Sequence, residues 1–300
     1  MKTQKFGIEI ELTGITRRDA AKVMAGHFNA AEEYTGGAYK AYHVKDQTGR
    51  TWKIVYDSSV QAQTRNGGYA SDDYKCEIVS PICTYADIET VQELIRKLRK
   101  NGAVVNNSCG IHIHINAAPH TARSLKNISN IMASKEDLLF RALGVDGRRE
   151  HYCKKTDAHY INRLNVARAL RCKDEVKRIW YDGDTARSLR HYDDSRYHAL
   201  NLHAVWQKGT IELRMFNSTT HAGKIKAYIQ LCLAISHQAL TQSCASARKT
   251  TTTNPKYTFR TWLLRLGLIG EEFETARLHL LANLDGDTAF RHGRPTTEAA

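Results

Sequence analysis

Nowhere in the 300 residues does an apolar run approach the roughly 18 uninterrupted residues that a membrane-spanning helix needs. The opening stretch MKTQKFGIEIEL has no long apolar run ahead of a small-residue cleavage site, which predicts a cytoplasmic protein without a secretory signal. The seven cysteines (Cys76, Cys83, Cys109, Cys153, Cys172, Cys232 and Cys244) are odd in number and scattered, with no C-x-x-C pair. That spacing argues against a disulfide scaffold and against a cysteine zinc site, so most are expected to be buried thiols. A glycine-rich phosphate loop is missing too, so a nucleotide would not rest on a helix N-terminus here. No internal repeat recurs at a fixed period.

What is present is an ordinary globular composition, 42% hydrophobic and 25% charged, with an excess of basic residues that leaves a net charge of +13 and a pI near 9.4. The length allows one large domain or two small ones with a substantial core. Basic residues concentrate in RKLRK (96–100) and GRREHYCKK (147–155). A run of this kind is either a solvated face or a footprint for a polyanion such as an acidic peptide or a nucleic acid; charge alone does not separate the two.

Period and punctuation predict the elements. Residues 5–12 alternate and read as a strand; 38–45 and 50–57 flank the turn DQTG as a hairpin; 75–80 form a strand stopped by Pro81. A helix from 84 to about 101 starts at Thr84 with Asp87 three residues on, carries the stripe Ile88, Val91, Leu94, Ile95 and Leu98, and ends at Gly102. A second helix runs from about 121 to 143 and ends at Gly144. Residues 145–195 read as a short helix with long loops. Strands are expected at 196–206 and 209–216, joined through QKG as a tight hairpin, followed by a long apolar helix at about 220–243. After a surface linker at 247–254 come two short helices near 257–268 and 271–283, then a loose tail from 285. The interspersed strands and helices point to an α+β fold with a largely antiparallel sheet.

Side chains on a strand alternate between faces, and several strands here share one pattern. In GIEIEL, Glu9 and Glu11 lie opposite Ile8, Ile10 and Leu12; in GIHIHI, His112 and His114 lie opposite the isoleucines; in TIELRMF, Glu212 and Arg214 lie opposite Ile211, Leu213 and Met215. Glu77 lies opposite Cys76 and Ile78. Each strand thus has an apolar face for helices and a face of ionisable groups. A Glu-x-Glu on a lone strand is usually solvated, and a lone His-x-His is more often not a metal site. Four carboxylates, two imidazoles and a guanidinium on one sheet are different: the like charges need cations to be stable. Oxygen-rich ligands with one imidazole suit Mg²⁺ or Mn²⁺ better than zinc, and such sites commonly hold nucleotide phosphates.

In order, FGIEIEL, YDSSV with CEIVSP, CGIHIHI, RYHALNL and GTIELRMFNST resemble the amidoligase family, within the carboxylate–amine ligases of the glutamine synthetase and glutamate–cysteine ligase fold. The resemblance spans roughly residues 5 to 240, and RREHYCKK is similar to a loop of that family. It implies an antiparallel half-funnel sheet backed by helices: a catalytic domain over 1–245, a C-terminal helical extension over 246–284 and a tail over 285–300. It also implies an ATP-dependent ligase that binds ATP and Mg²⁺ (or Mn²⁺) on the concave face. Carried over residue by residue, Glu9, Glu11, Glu77, His112 and Glu212 are implied metal ligands. His114 and Arg214 face the nucleotide phosphates, Arg196 aims at a substrate carboxylate or phosphate, and Asp57 binds the amine. Ser58 stands where the family has the glycine of Asp-Gly-Ser, and Ser218 where a glycine precedes the threonine.

The implied chemistry is amide or isopeptide bond formation through an acyl phosphate, with a carboxylate and an amine as substrates; from the basic charge alone, an acidic peptide or protein, or a nucleic-acid-borne group, is an expected substrate class. Related ligases include rings and monomers, so the resemblance sets no oligomeric state. Two other readings share the residues: a metal-dependent nuclease or phosphoesterase, which clustered carboxylates and a basic surface also suit, and a non-catalytic protein that only binds metal or nucleotide.

Overall fold

The computed structural model describes residues 1–145, 147, 149–167 and 170–292, with Glu150 as backbone only. Its strands are β1 (Phe6–Leu12), β2 (Glu32–Gly36), β3 (Ala41–Lys45), β4 (Thr51–Val55), β5 (Cys76–Val79), β6 (Gly110–Asn116), β7 (Leu200–Asn201) and β8 (Thr210–Asn217). They form one sheet of eight in the order β2-β3-β4-β5-β1-β6-β8-β7, and every pairing is antiparallel. The fold is α+β, as the sequence pattern predicts.

Nine α-helices are described: α1 (Arg17–Phe28), α2 (Ile88–Lys100), α3 (Ala122–Leu143), α4 (Ala158–Val166), α5 (Lys173–Trp180), α6 (His203–Gln207), α7 (Ala222–Thr241), α8 (Pro255–Arg265) and α9 (Glu274–Leu281). The apolar faces of β1, β6 and β8 bury Ile8, Ile10, Ile111, Ile113, Ile115, Ile211 and Leu213 in one core with Leu94 of α2, Ile128 of α3 and Ile229 of α7. Each such side chain contributes about 1.5–3 kcal/mol on leaving water. Phe259 and Leu263 of α8 and Leu280 of α9 belong to the same core. The stretch 247–254 has no regular structure but is tied to α3: Ser134 donates to the Arg248 carbonyl at 2.7 Å, and the Thr250 amide to the Ser134 carbonyl at 3.0 Å. Of the tail expected from 285, residues 293–300 lie outside the described residues. No helix among the described residues is long and apolar enough to cross a membrane. Five cysteines are buried, with Cys172 and Cys244 exposed, and all seven are free thiols.

The helix expected from 84 begins as a 3₁₀ turn, Tyr85–Asp87, and becomes α2, with the Thr84–Asp87 capping box formed. The stripe Ile88, Val91, Leu94, Ile95 and Leu98 is buried, while Arg96, Lys97, Arg99 and Lys100 of the basic run are exposed. Gly144 ends α3 in the left-handed conformation at φ 64°, where a residue with a Cβ is disfavoured.

The structure departs from the sequence pattern in two ways. Residues 196–206 are not one strand. Arg196 closes a 3₁₀ turn (Asp194–Arg196), only Leu200–Asn201 pair with β8, and His203–Gln207 wind into α6. The physical reason is His203: Nε2 lies 2.9 Å from the Arg190 carbonyl and Nδ1 meets the Tyr181 hydroxyl, so its buried ring is satisfied on a helical turn. The link to β8 is therefore not a hairpin turn. Second, α1 and β2 carry no expectation from the sequence. The buried face of α1 is built largely from Ala20, Ala21 and Ala25, a weak apolar stripe, and β2 is a largely exposed edge strand.

One ionic network ties the outer strands to α2. Arg50 donates from Nε to Asp46 at 2.8 Å and from Nη1 and Nη2 to both oxygens of Asp87 at 3.0 and 2.8 Å. Asp87 also accepts from the Thr84 amide at 2.7 Å. The hydrogen bonds from Arg50, with those of Thr84, outweigh partial burial and lower the Asp87 carboxyl to about 2. A folded value below the unfolded one (about 3.9) means stability that is complete above about pH 4 and lost as pH falls through about 2. Asp87→Asn is therefore expected to lower stability by about 1–2 kcal/mol at pH 7. In urea titrations, the gap to the unsubstituted protein should stay constant down to about pH 5 and shrink below about pH 4.

Candidate active site

Register, rather than loops, assembles the ionic face. Glu9 of β1 stands across from His112 of β6, and Glu11 across from Glu77 of β5. His114 stands across from Glu212 of β8, which is in turn across from Asn201 of β7. Cross-strand partners have Cβ atoms about 4.5–5.5 Å apart, so the Glu11–Glu77 pair is a repulsive contact built into the sheet. Between β6 and β8 the register shifts: Ile111 pairs with Phe216 but Ile113 with Leu213, leaving Arg214 and Met215 opposite His112 alone. This bulge keeps Arg214 on the ionic face and turns Phe216 into the core.

The side chains converge. His112 Nδ1 lies 3.1 Å from Glu9 Oε2 and 3.8 Å from Glu212 Oε1, and its Nε2 lies 3.8 Å from Glu11 Oε1. Arg214 Nη1 donates to Glu212 Oε1 at 2.5 Å, and Asn201 Nδ2 to Glu212 Oε2 at 2.7 Å. The Gly110 amide donates to Glu11 Oε2 at 2.6 Å. His114 Nδ1 lies 2.9 Å from the Thr210 hydroxyl. Its Nε2 is buried 3.2 Å from Glu9 Oε1 without hydrogen-bond alignment. Lys208 Nζ reaches the same Glu9 oxygen at 3.1 Å.

The electrostatics split the acids into two kinds. For Glu9, burial acts to raise the carboxyl, but the charge of His114, the hydrogen bond with His112 and the charge of Lys208 hold it well below its ordinary value. Glu212 is lowered in the same way, with Arg214, His114 and His112 outweighing burial. Glu11 and Glu77 go the other way. Burial raises Glu11, assisted by Asp57. Burial and the charges of Glu9, Glu11 and Asp57 push Glu77 well above the usual carboxylate range. Among the described residues no side-chain hydrogen bond or ion pair offsets Glu77.

Three groups of ligand atoms lie within 4.8 Å of one another: Glu9, His114 and Glu212; Glu9, Glu77 and His112; and Glu11, Asp57 and Glu77. This donor set fits a hard divalent cation: carboxylate oxygens dominate, one imidazole joins in two groups, and Glu77 and His114 Nε2 are left without aligned protein partners. Beside Glu9 opens a cavity of about 430 Å³, lined by Lys5, Gly7, His114, Lys208 and Thr210 and on its apolar side by Val79, Pro81 and Ile82. Gly7 shares the face of Glu9, and a Cβ there would meet nothing closer than 3.8 Å, so the cavity extends where a side chain would otherwise stand.

Opposite ends of the sheet meet at its rim. Tyr39, between β2 and β3, has its hydroxyl 3.3 Å from that of Tyr192, which lies ahead of β7. Arg196 packs on the rings of Tyr192 and Tyr197 at 5.3 and 5.7 Å. Arg196 is thus at the rim and not on the acid-bearing floor. Asp57 is on the floor, within ligand distance of Glu11 and Glu77, its Oδ1 accepting from the amide and hydroxyl of Ser59 at 2.7 and 2.6 Å.

Against models of known families, residues 2–236 match the one described as "Putative amidoligase enzyme". The chain belongs to the amidoligase family. The match takes in all eight strands and most of α7, and leaves α8 and α9 outside it. No curated protein matches the chain.

In this member of the amidoligase family the two departures from the family pattern do not disturb the floor. Ser58 is exposed, and Ser218 donates its hydroxyl to the Glu11 carbonyl at 2.6 Å, pinning β1 behind a floor carboxylate. Sequence reasoning missed four residues. Asn201 and Thr210 orient Glu212 and His114, and Lys208 contacts Glu9. Arg149, of the basic loop, donates to the Arg214 carbonyl at 3.0 Å from beneath Gly110. The signals were present: Asn201 and Thr210 sit inside the quoted motifs, and Arg149 in RREHYCKK.

A Cβ on Gly110 would lie 2.4 Å from Arg149 Nη1. Gly110→Ala should displace this buried guanidinium and lower stability by about 1–3 kcal/mol in chemical denaturation. Glu77→Gln removes a repelled carboxylate that is also a candidate cation ligand, so its effect should change sign with metal. In chelator the variant is expected to melt at or above the temperature of the unsubstituted protein, and in Mn²⁺ below it, as read by scanning calorimetry.

Proposed function

We propose that this amidoligase-family chain is an ATP-dependent carboxylate–amine ligase, its sheet forming a half-funnel of the glutamine synthetase type. The observation that carries this is the convergence of Glu9, Glu11, Glu77, His112, His114, Glu212 and Arg214 on one face, beside a cavity of nucleotide-compatible size. The rim contact between Tyr39 and Tyr192, bridging the two ends of the sheet, supports the half-funnel.

The residues divide the work. Glu11 and Glu77, with Glu9, His112 and Glu212, would hold Mg²⁺ or Mn²⁺. When bound, the metal offsets the charge that the carboxylates and phosphates would otherwise oppose to each other. The 430 Å³ cavity would take the nucleotide: Val79, Pro81 and Ile82 offer an apolar wall to a base, and His114 and Lys5 offer polar groups to phosphates. Arg214 is buried and held at Glu212 by a charge-assisted hydrogen bond that raises its pKa. It is preorganised to stabilise charge on the transferring phosphoryl group, at no reorganisation cost during the reaction. The substrate carboxylate attacks the γ-phosphorus of ATP, giving an acyl phosphate and ADP. The amine then attacks the acyl carbon, and phosphate leaves. Asp57 orients the ammonium group and accepts its proton, and Arg196 at the rim steers the incoming carboxylate.

Purified protein with ATP and Mg²⁺ should release ADP only when both a carboxylate and an amine are supplied. Glu11→Gln and Arg214→Ala should each lower turnover by at least about 100-fold; full activity in both variants would sink the assignment, and cleavage of DNA or RNA without ATP would favour a nuclease. Gly7→Leu fills the nucleotide cavity beside His114, so it should abolish binding of a fluorescent ATP analogue.

A further inference from the structure

Lys208 stands out from the other cations on the ionic face. Arg214 projects from a strand, is buried and is locked on Glu212. Lys208 sits in the turn between α6 and β8, followed by Gly209 at φ 69°, and its side chain keeps 48% of its surface exposed. Its ammonium rests 3.1 Å from Glu9 Oε1, the oxygen that His114 Nε2 approaches at 3.2 Å. Glu9, like Glu77, belongs to two of the three ligand groups. The ammonium therefore rests on a carboxylate that a divalent cation in either group would use, on the oxygen nearest His114, and two cations do not share one oxygen without strong repulsion. The same lysine lines the 430 Å³ cavity. A four-carbon stem on an exposed turn lets the ammonium move several ångströms at little cost, and phosphates in that cavity are the nearest anions for it to meet.

We propose that Lys208 is a displaceable counter-cation that couples metal binding to nucleotide binding. It neutralises Glu9 while no metal is bound, and it passes to the nucleotide phosphates when a divalent cation takes that carboxylate. This rests on the ligase reading of the same face. It follows that metal alone competes with Lys208 for Glu9, whereas nucleotide draws the lysine away, so each ligand favours the other by the same factor.

The test is Lys208→Met in the full chain, with two affinities measured. Mn²⁺ alone, followed by electron paramagnetic resonance, should bind about three- to tenfold tighter than to the unsubstituted protein. A non-hydrolysable ATP analogue with Mg²⁺, followed by calorimetry, should bind about three- to tenfold weaker. Opposite signs in one variant exclude general damage to the fold, and Lys208→Arg should restore both values toward the original. Unchanged or weakened Mn²⁺ binding in Lys208→Met overturns the proposal while leaving the ligase reading intact. An unsubstituted protein that binds neither Mn²⁺ nor the analogue overturns both.

Discussion

Like charges held side by side on one sheet face are the constraint around which this molecule is organised. Glu9, Glu11, Asp57, Glu77 and Glu212 lie within ligand distance of one another in overlapping groups, with Glu11 and Glu212 buried. Water screens such groups poorly, so their repulsion must be offset by what the protein places among them. Arg214 and Asn201 restrain Glu212, the imidazoles and Lys208 restrain Glu9, and the Gly110 amide holds Glu11. Glu77 receives nothing comparable, and its carboxyl is pushed up accordingly. The imbalance is local: the acids cluster on the floor while much of the basic excess, such as the outer face of α2, lies elsewhere.

A sheet tolerates such a face only if the other face is strongly favourable. Ile8, Ile10, Ile111, Ile113, Ile115, Ile211 and Leu213 meet α2, α3 and α7 in a continuous core that α8 and α9 extend. Because ionic and apolar side chains alternate along the same strands, a one-residue slip of register would bury the acids and expose the isoleucines. Stability of the core and geometry of the floor are thus one property. The β6–β8 bulge breaks the alternation within the acid-bearing strands, and it serves both faces.

Much of this was legible in the sequence because alternation is a local, period-two signal. GIEIEL, GIHIHI and TIELRMF declare their faces without reference to the rest of the chain, and Thr84–Asp87 and Gly144 mark helix ends by local chemistry. Legibility failed where local pattern and tertiary environment diverge. YHALNLHAVW alternates as a strand would, yet the partners of His203, Tyr181 and the Arg190 carbonyl, come from distant chain and favour a helical turn. The alanine-lined face of α1 and the polar edge strand β2 carry too little apolar signal to stand out.

By itself the sequence determined which side chains share a strand face, where the main helices begin and end, and the family resemblance that the family model bears out, since each depends on neighbours a few residues apart. Only the tertiary structure decided strand order, and hence that Glu9 meets His112, Glu11 meets Glu77 and His114 meets Glu212. Register between segments a hundred residues apart is set by packing of the whole core and not by any local stretch. The same distinction holds for Arg149 under Gly110, Tyr39 against Tyr192 and Lys208 on Glu9. Their chemistry is visible in one dimension, but their partners exist only once the sheet has formed.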